Sequence, residues 1–184
     1  MFRRRPPRAG FRREGRAEVH PLLRRANNLL MTGQFAEAAE AFEQLANGAL
    51  ARQGPRAPVF FLQAGRARIL NGQSSMGIEH LKHGLKLFAD RGDLHRVHHA
   101  GNRIITELNE RGLSNEVKQI QDFLITLLPK SFNALPEENV PQGKPVHLPT
   151  HCPSCGAALK PDEVEWLDEV TAECEYCGSP VRGE

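Results

Sequence analysis

The residues most able to do chemistry lie near the end of the chain, in HCPSCGAALKPDEVEWLDEVTAECEYCG, which runs from His151 to Gly178. It holds all four cysteines, as Cys152-x2-Cys155, then eighteen residues, then Cys174-x2-Cys177. Two sulfurs two residues apart can bind one metal ion from a single tight turn. A glycine follows each pair, Gly156 and Gly178, where the chain must turn sharply past the metal. Four thiolates suit a tetrahedral zinc ion at about 2.3 Å per bond, and the spacing lies within the range of such sites. One zinc, held by Cys152, Cys155, Cys174 and Cys177, is therefore expected. Four sulfurs leave no position open for water or substrate, so the zinc is read as structural. His151 precedes the first ligand but finds the tetrahedron already filled, and is read as a neighbour. The competing reading, a pair of disulfides, needs an oxidising compartment.

Elsewhere the residues with chemical potential are sparse. Five histidines, His80, His83, His95, His98 and His99, fall close together in sequence. His95 and His99 share a helix face, and His83 could meet His98 across antiparallel helices. Imidazole is a common metal ligand, but no carboxylate or cysteine completes a set, so these are read as surface histidines. No nucleophile has a paired base, and no glycine loop is shaped to cradle phosphate. The chain is therefore not expected to be an enzyme.

The elements that must position these residues are helices. Leu22, Leu23, Ala26, Leu29 and Leu30 recur at helical spacing until Thr32-Gly33-Gln34 breaks the pattern. Ala38, Ala39, Phe42, Leu45 and Ala46 then form a second stripe. The arrangement returns with a helix from about Pro58 to Leu70, a turn at Asn71–Gln73, and a helix running to Ala89. A third pair follows at Leu94–Glu110 and Ser114–Leu128, around Arg111-Gly112. The turn glycines Gly33, Gly72 and Gly112 are spaced by 39 and 40 residues. Such a period predicts about three stacked helix hairpins, each burying its face against the next.

Over residues 19–129 the chain resembles the tetratricopeptide repeat family. Ala26, Gly33, Phe35, Ala38, Phe42 and Leu45 fall on its signature positions in the first unit. Gly65, Gly72, Gly77 and Leu81 do so in the second, where Ser74 replaces the turn aromatic. The third keeps Gly112 and Pro129 but has Gln121 where an aromatic is usual, and the period exceeds the family's 34 residues. The resemblance implies a protein-binding scaffold with a groove lined by the first helix of each hairpin. In that register the groove presents Asn27, Gln63, Arg66, His99, Asn102 and Arg103. Some members clamp a peptide's terminal carboxylate with Lys, Asn and Arg there. Asn27 and Arg103 match two clamp positions, whereas Leu23 and His99 replace lysines and Gln63 replaces an asparagine.

The helical period stops at Pro129, and five prolines from Pro129 to Pro149 mark residues 130–150 as an extended, partly stiff linker. A short helical turn at Lys130–Leu135 is the exception. Beyond it, EVEWLDEVTAEC reads as two short strands around a turn near Asp168-Glu169. Knuckle, hairpin, knuckle is the order of the zinc ribbon family, which residues 151–178 resemble through CPSCG and CEYCG. A redox dithiol, by contrast, usually opens a helix in a thioredoxin-like fold, which the helical body does not resemble. The fold class is thus mainly α: a solenoid of stacked hairpins with a small C-terminal β module at 151–184.

Charge is unevenly spread. Residues 1–25 hold nine Arg against two Glu, and residues 151–184 hold two basic against eight acidic side chains, while the whole chain is +2. Residues 1–18 read as a basic, disordered arm. No run of apolar residues is long enough for a membrane span, and the arm lacks the apolar core of a secretory signal. It is Arg-rich like an organelle leader but has no Ser, and its prolines oppose an amphipathic helix, so a cytoplasmic location is expected. Together these features predict a scaffold that binds a protein or peptide, with the ribbon as a second docking module. The alternative is a nucleic-acid-associated factor that uses the Arg-rich arm. One apolar surface is left over. Val117, Ile120, Phe123, Leu124, Ile125, Leu127 and Leu128 exceed what one neighbouring helix covers, with Phe123 and Ile125 off the main stripe. The linker at Val146–Leu148 and the ribbon through Trp166 are expected to cover it, or else a second copy of the chain in a homodimer.

Overall fold

The computed structural model describes residues 21–129, 146–160, 164–167, 170–174 and 176–183. The arm at 1–18, the turn at Lys130–Leu135 and Asp168-Glu169 lie outside the described residues. Six helices pack against one another: α1 Pro21–Met31, α2 Phe35–Ala51, α3 Ala57–Leu70, α4 Ser74–Asp90, α5 Leu94–Glu110 and α6 Ser114–Leu127. Their ends follow from the sequence. Pro21 opens α1, where a missing amide hydrogen costs nothing. Gly33, Gly72 and Gly112 close α1, α3 and α5 at φ +77°, +78° and +71°. Gly92, at φ +79°, makes the same kind of turn between α4 and α5, a position the sequence reading did not single out.

The stripe of α2 is buried as its spacing requires, with Ala38, Ala39, Phe42 and Ala46 inaccessible. Small residues bring α3 and α4 into close contact. A Cβ on Gly65 would lie 2.7 Å from the Gly77 carbonyl, and one on Gly77 would lie 2.8 Å from that of Gly65. No other residue type allows these backbones to approach so closely.

A small antiparallel sheet follows: β1 Glu165–Trp166, β2 Thr171–Glu173 and β3 Pro180–Arg182, in the order β1-β2-β3. The third strand was not foreseen. It pairs Val181 with Ala172, and both are buried. Two such short hairpins have too little interior for a core of their own. The cysteines, Leu159, Val164, Ala172 and Val181 instead join one continuous cluster with Leu23, Phe42, Phe60 and Phe61 of α1–α3. A second cluster joins α3 through α6, around Ile78, Leu85, Val97, Leu108 and Ile120.

This placement corrects the expected cover of α6. Leu148 and Trp166 pack against the cluster shared by α1–α3 and the cysteine module, not against the cluster that holds α6. The α6 stripe of Val117, Ile120 and Leu124 is buried, and Phe123 is half-buried against the second cluster instead of pointing away. Ile125 remains 70% exposed.

Candidate functional site

Each cysteine pair sits in a tight turn built by backbone hydrogen bonds. In the first, Gly156 N donates to the Cys152 carbonyl at 2.8 Å and Cys152 N to the Ala157 carbonyl at 2.8 Å. In the second, Gly178 N donates to the Cys174 carbonyl at 2.7 Å and Cys174 N to the Ser179 carbonyl at 2.9 Å. Gly156 and Gly178 take φ of +74° and +66°, the left-handed turn their positions after each pair predicted. The Ser154 amide also points at the Cys152 sulfur, 3.4 Å away.

These turns bring the four sulfurs together. Cys152 and Cys177 Sγ are 3.8 Å apart, Cys155 and Cys174 Sγ are 3.7 Å apart, and all four atoms lie within 4.8 Å of one another. Tetrahedral bonds of about 2.3 Å put neighbouring sulfurs about 3.8 Å apart, so the spacing fits a four-coordinate ion. All four cysteines are buried and free of disulfide bonds. Packed this closely, the four thiols shift one another's protons unevenly. The Cys155 contact pulls the Cys152 thiol down, and the Cys152 contact pushes Cys155 and Cys174 up. For Cys177, Cys152 pushes up while Cys155 and Cys174 pull down, leaving it at about 7. A divalent ion would replace this proton sharing with four thiolate bonds. Among the described residues, this is the group of His, Cys, Asp and Glu ligand atoms close enough to share an ion. His151 is exposed, in an isolated bridge with Ala158.

The other histidines are placed by different contacts. His83 packs on Phe61, with ring centroids 4.2 Å apart. His80 meets Glu43 at 2.9 Å, beside the two hydrogen bonds that Arg68 donates to the same carboxylate.

The expected groove residues divide into three groups. Gln63, Arg66, His99 and Arg103 line a cavity of about 110 Å³ between α3 and α5. Asn27 is not open to a ligand, because it lies beneath the cysteine turns and donates from Nδ2 to the Cys155 carbonyl at 3.4 Å. Leu23, which replaces a clamp lysine, is buried in the same shared cluster. Asn102 is exposed on another side of α5, where it contacts His98 and borders a shallow groove with Ile125 of α6.

Four charged cavity residues were missed, Glu107 of α5 among them. Arg96 and Arg111 also line it, and so does Glu173 of β2. The arginines were legible, since Arg96 and Arg103 of α5 and Arg111 just past its end follow one another at seven- and eight-residue steps on the side that holds His99. Glu173 had no signal beyond its place beside Cys174. The floor is apolar, formed by Leu62, Leu81, Phe88, Ile104 and Leu108. Above it, Arg66 and Arg103 converge on one carboxylate, Glu107, at 3.0 and 3.4 Å. Arg96 pairs with Glu173 and lies 5.7 Å from the Phe88 ring centroid. Four guanidiniums against two carboxylates leave the cavity lining net positive.

No helix among the described residues is long and apolar enough to cross a membrane. Neither a family model, nor a curated protein, nor a solved structure matches this chain.

Proposed function

We propose that this chain is a non-enzymatic interaction scaffold of the cytoplasm. It is read as a stack of three tetratricopeptide-repeat-like hairpins carrying a zinc-ribbon-like module folded around one structural zinc. The observation that carries the reading is the α3/α5 cavity, where guanidiniums outnumber carboxylates above an apolar floor. Such a lining suits a peptide that offers a carboxylate beside an apolar side chain. The closed set of four sulfurs supports a metal with a folding role, and soft thiolates in a tetrahedron favour zinc.

An array of synthetic peptides combining Glu or Asp with Leu or Ile tests the reading by fluorescence polarisation. Binding is expected, and Arg66→Glu with Arg103→Glu should weaken it at least tenfold, or about 1.4 kcal/mol, with zinc content and helical signal unchanged. An unaltered dissociation constant would remove the cavity as the site.

The second reading, association with nucleic acid, is favoured by the nine Arg among residues 1–25. It predicts that deleting residues 1–20 abolishes retention of an oligonucleotide and flattens its salt dependence. Retention that survives the deletion would remove the arm as the contact.

A further inference from the structure

The cavity between α3 and α5 is not walled by helices alone. One of its lining residues, Glu173, comes from the C-terminal module and is only 8% exposed. It precedes Cys174, so the position of its carboxylate is tied to the metal cluster by a single peptide link. Its partner is Arg96 of α5, held over Phe88. Two further polar contacts seat the module across the helices. Arg56 Nη2 donates to Ser179 Oγ at 2.7 Å, and Asn27 Nδ2 donates to the Cys155 carbonyl. Asn27 of α1, Arg56 at the N-terminal end of α3 and Arg96 of α5 each contribute one of these three contacts, so the module bridges these three helices. The charges match, since residues 151–184 are strongly acidic and the cavity is net positive.

We propose that the cysteine module is a metal-held lid on this cavity. Its Glu173 carboxylate occupies the place at Arg96 that an acidic segment of a partner takes when the lid lifts. The inference rests on the scaffold reading and adds its regulation. The module completes its interior on Leu23, Phe60 and Phe61. Lifting it therefore strips apolar cover from the metal turns and weakens their hold on the ion. Occupancy by a partner and retention of zinc then oppose each other, and by linkage the opposition is mutual.

The test uses the full-length, zinc-loaded protein and two readouts. The first is the rate of zinc transfer to a chromogenic chelator. Arg96→Glu places two carboxylates together and should speed transfer at least fivefold, and Arg96→Gln should do so more weakly. The second is polarisation of a labelled peptide of alternating Glu and Leu. Glu173→Gln releases Arg96 from its internal partner and should tighten the peptide at least fivefold. Saturating peptide should in turn speed zinc transfer from the wild type. If both Arg96 variants keep their helical signal and transfer zinc at the wild-type rate, the lid is overturned. A peptide that binds without changing zinc transfer overturns it as well, as does an oligonucleotide that alone has that effect. If no peptide binds to any variant, the scaffold reading fails, and the Arg96 variants still decide the lid.

Discussion

Glu43 shows how one side chain can tie three helices. It lies on α2, accepts hydrogen bonds at 2.7 and 2.8 Å from Arg68 of α3, and meets His80 of α4. Arg68 holds its carboxyl below the ordinary 4.5, against the opposing effect of burial. The folded-state pKa is therefore lower than the unfolded one. The resulting stability is fully present above about pH 4.5 and is lost as pH falls through the depressed value. Glu43→Gln should lower the melting temperature at pH 7 and shrink its fall between pH 5 and 3. An acid limb as steep as that of the wild type would assign the pH dependence to other carboxylates. Gly178 is a second residue-scale test. Its φ of +66° is unfavourable for any side chain, and a Cβ there would lie 3.3 Å from Glu173 Oε1 and 3.4 Å from Val59. Gly178→Ala should cost about 1–2 kcal/mol and loosen the second metal turn, visible as faster zinc transfer. A variant that matches wild type in both melting and transfer would show that the turn adapts freely.

At the scale of elements, the contact between α3 and α4 depends on a pair of glycines. In Gly65→Ala the new Cβ would meet the Gly77 carbonyl at 2.7 Å and Leu81 at 2.8 Å. The backbone cannot yield as a side-chain tip can, so the helices must separate, at a cost of about 1–3 kcal/mol. A melting temperature within error of the wild type would mean the helices slide instead of parting. Much of this architecture was legible because local signals agree. The stripe through Ala38, Phe42 and Ala46 and the turns at Gly33, Gly72 and Gly112 each follow from a few neighbouring residues. The strand Pro180–Arg182 was not legible, since three residues carry no period and its partner Ala172 reveals it only in the fold. The cysteine cluster was legible because four cysteines at fixed spacing constrain one another. The cavity was half legible. The register of the repeat resemblance pointed to Arg66 and Arg103, but Glu173 reaches Arg96 across 77 residues, and no local pattern encodes that meeting. Asn27 was read as a groove residue because its helix face was right, while the module that covers that face was not foreseen.

At the scale of the whole molecule, the cysteine cluster and the first three helices share one interior. Leu23, Phe42, Phe60 and Phe61 lie in the same cluster as the four cysteines and Val181. A tail that folded by itself would leave the helices indifferent to loss of the metal. A shared interior does not, because unfolding the tail exposes apolar side chains of α1 and α3 to water. The second cluster, which joins α3 through α6, contains none of the cysteines and should survive. Cys174→Ser should therefore lose zinc and also part of the helical signal, with the α5–α6 hairpin retained. Trp166 reports on the event, since it is the only tryptophan and packs half-buried against the shared cluster. Chelation of zinc from the wild type should shift its emission to the red in step with the partial loss of ellipticity at 222 nm. Hydrogen exchange should place new exposure in α1–α3 and leave α5 and α6 protected. If Trp166 shifts while every helix keeps its protection, the tail and the helices are independent folding units, and the apolar contacts between them add nothing measurable to stability.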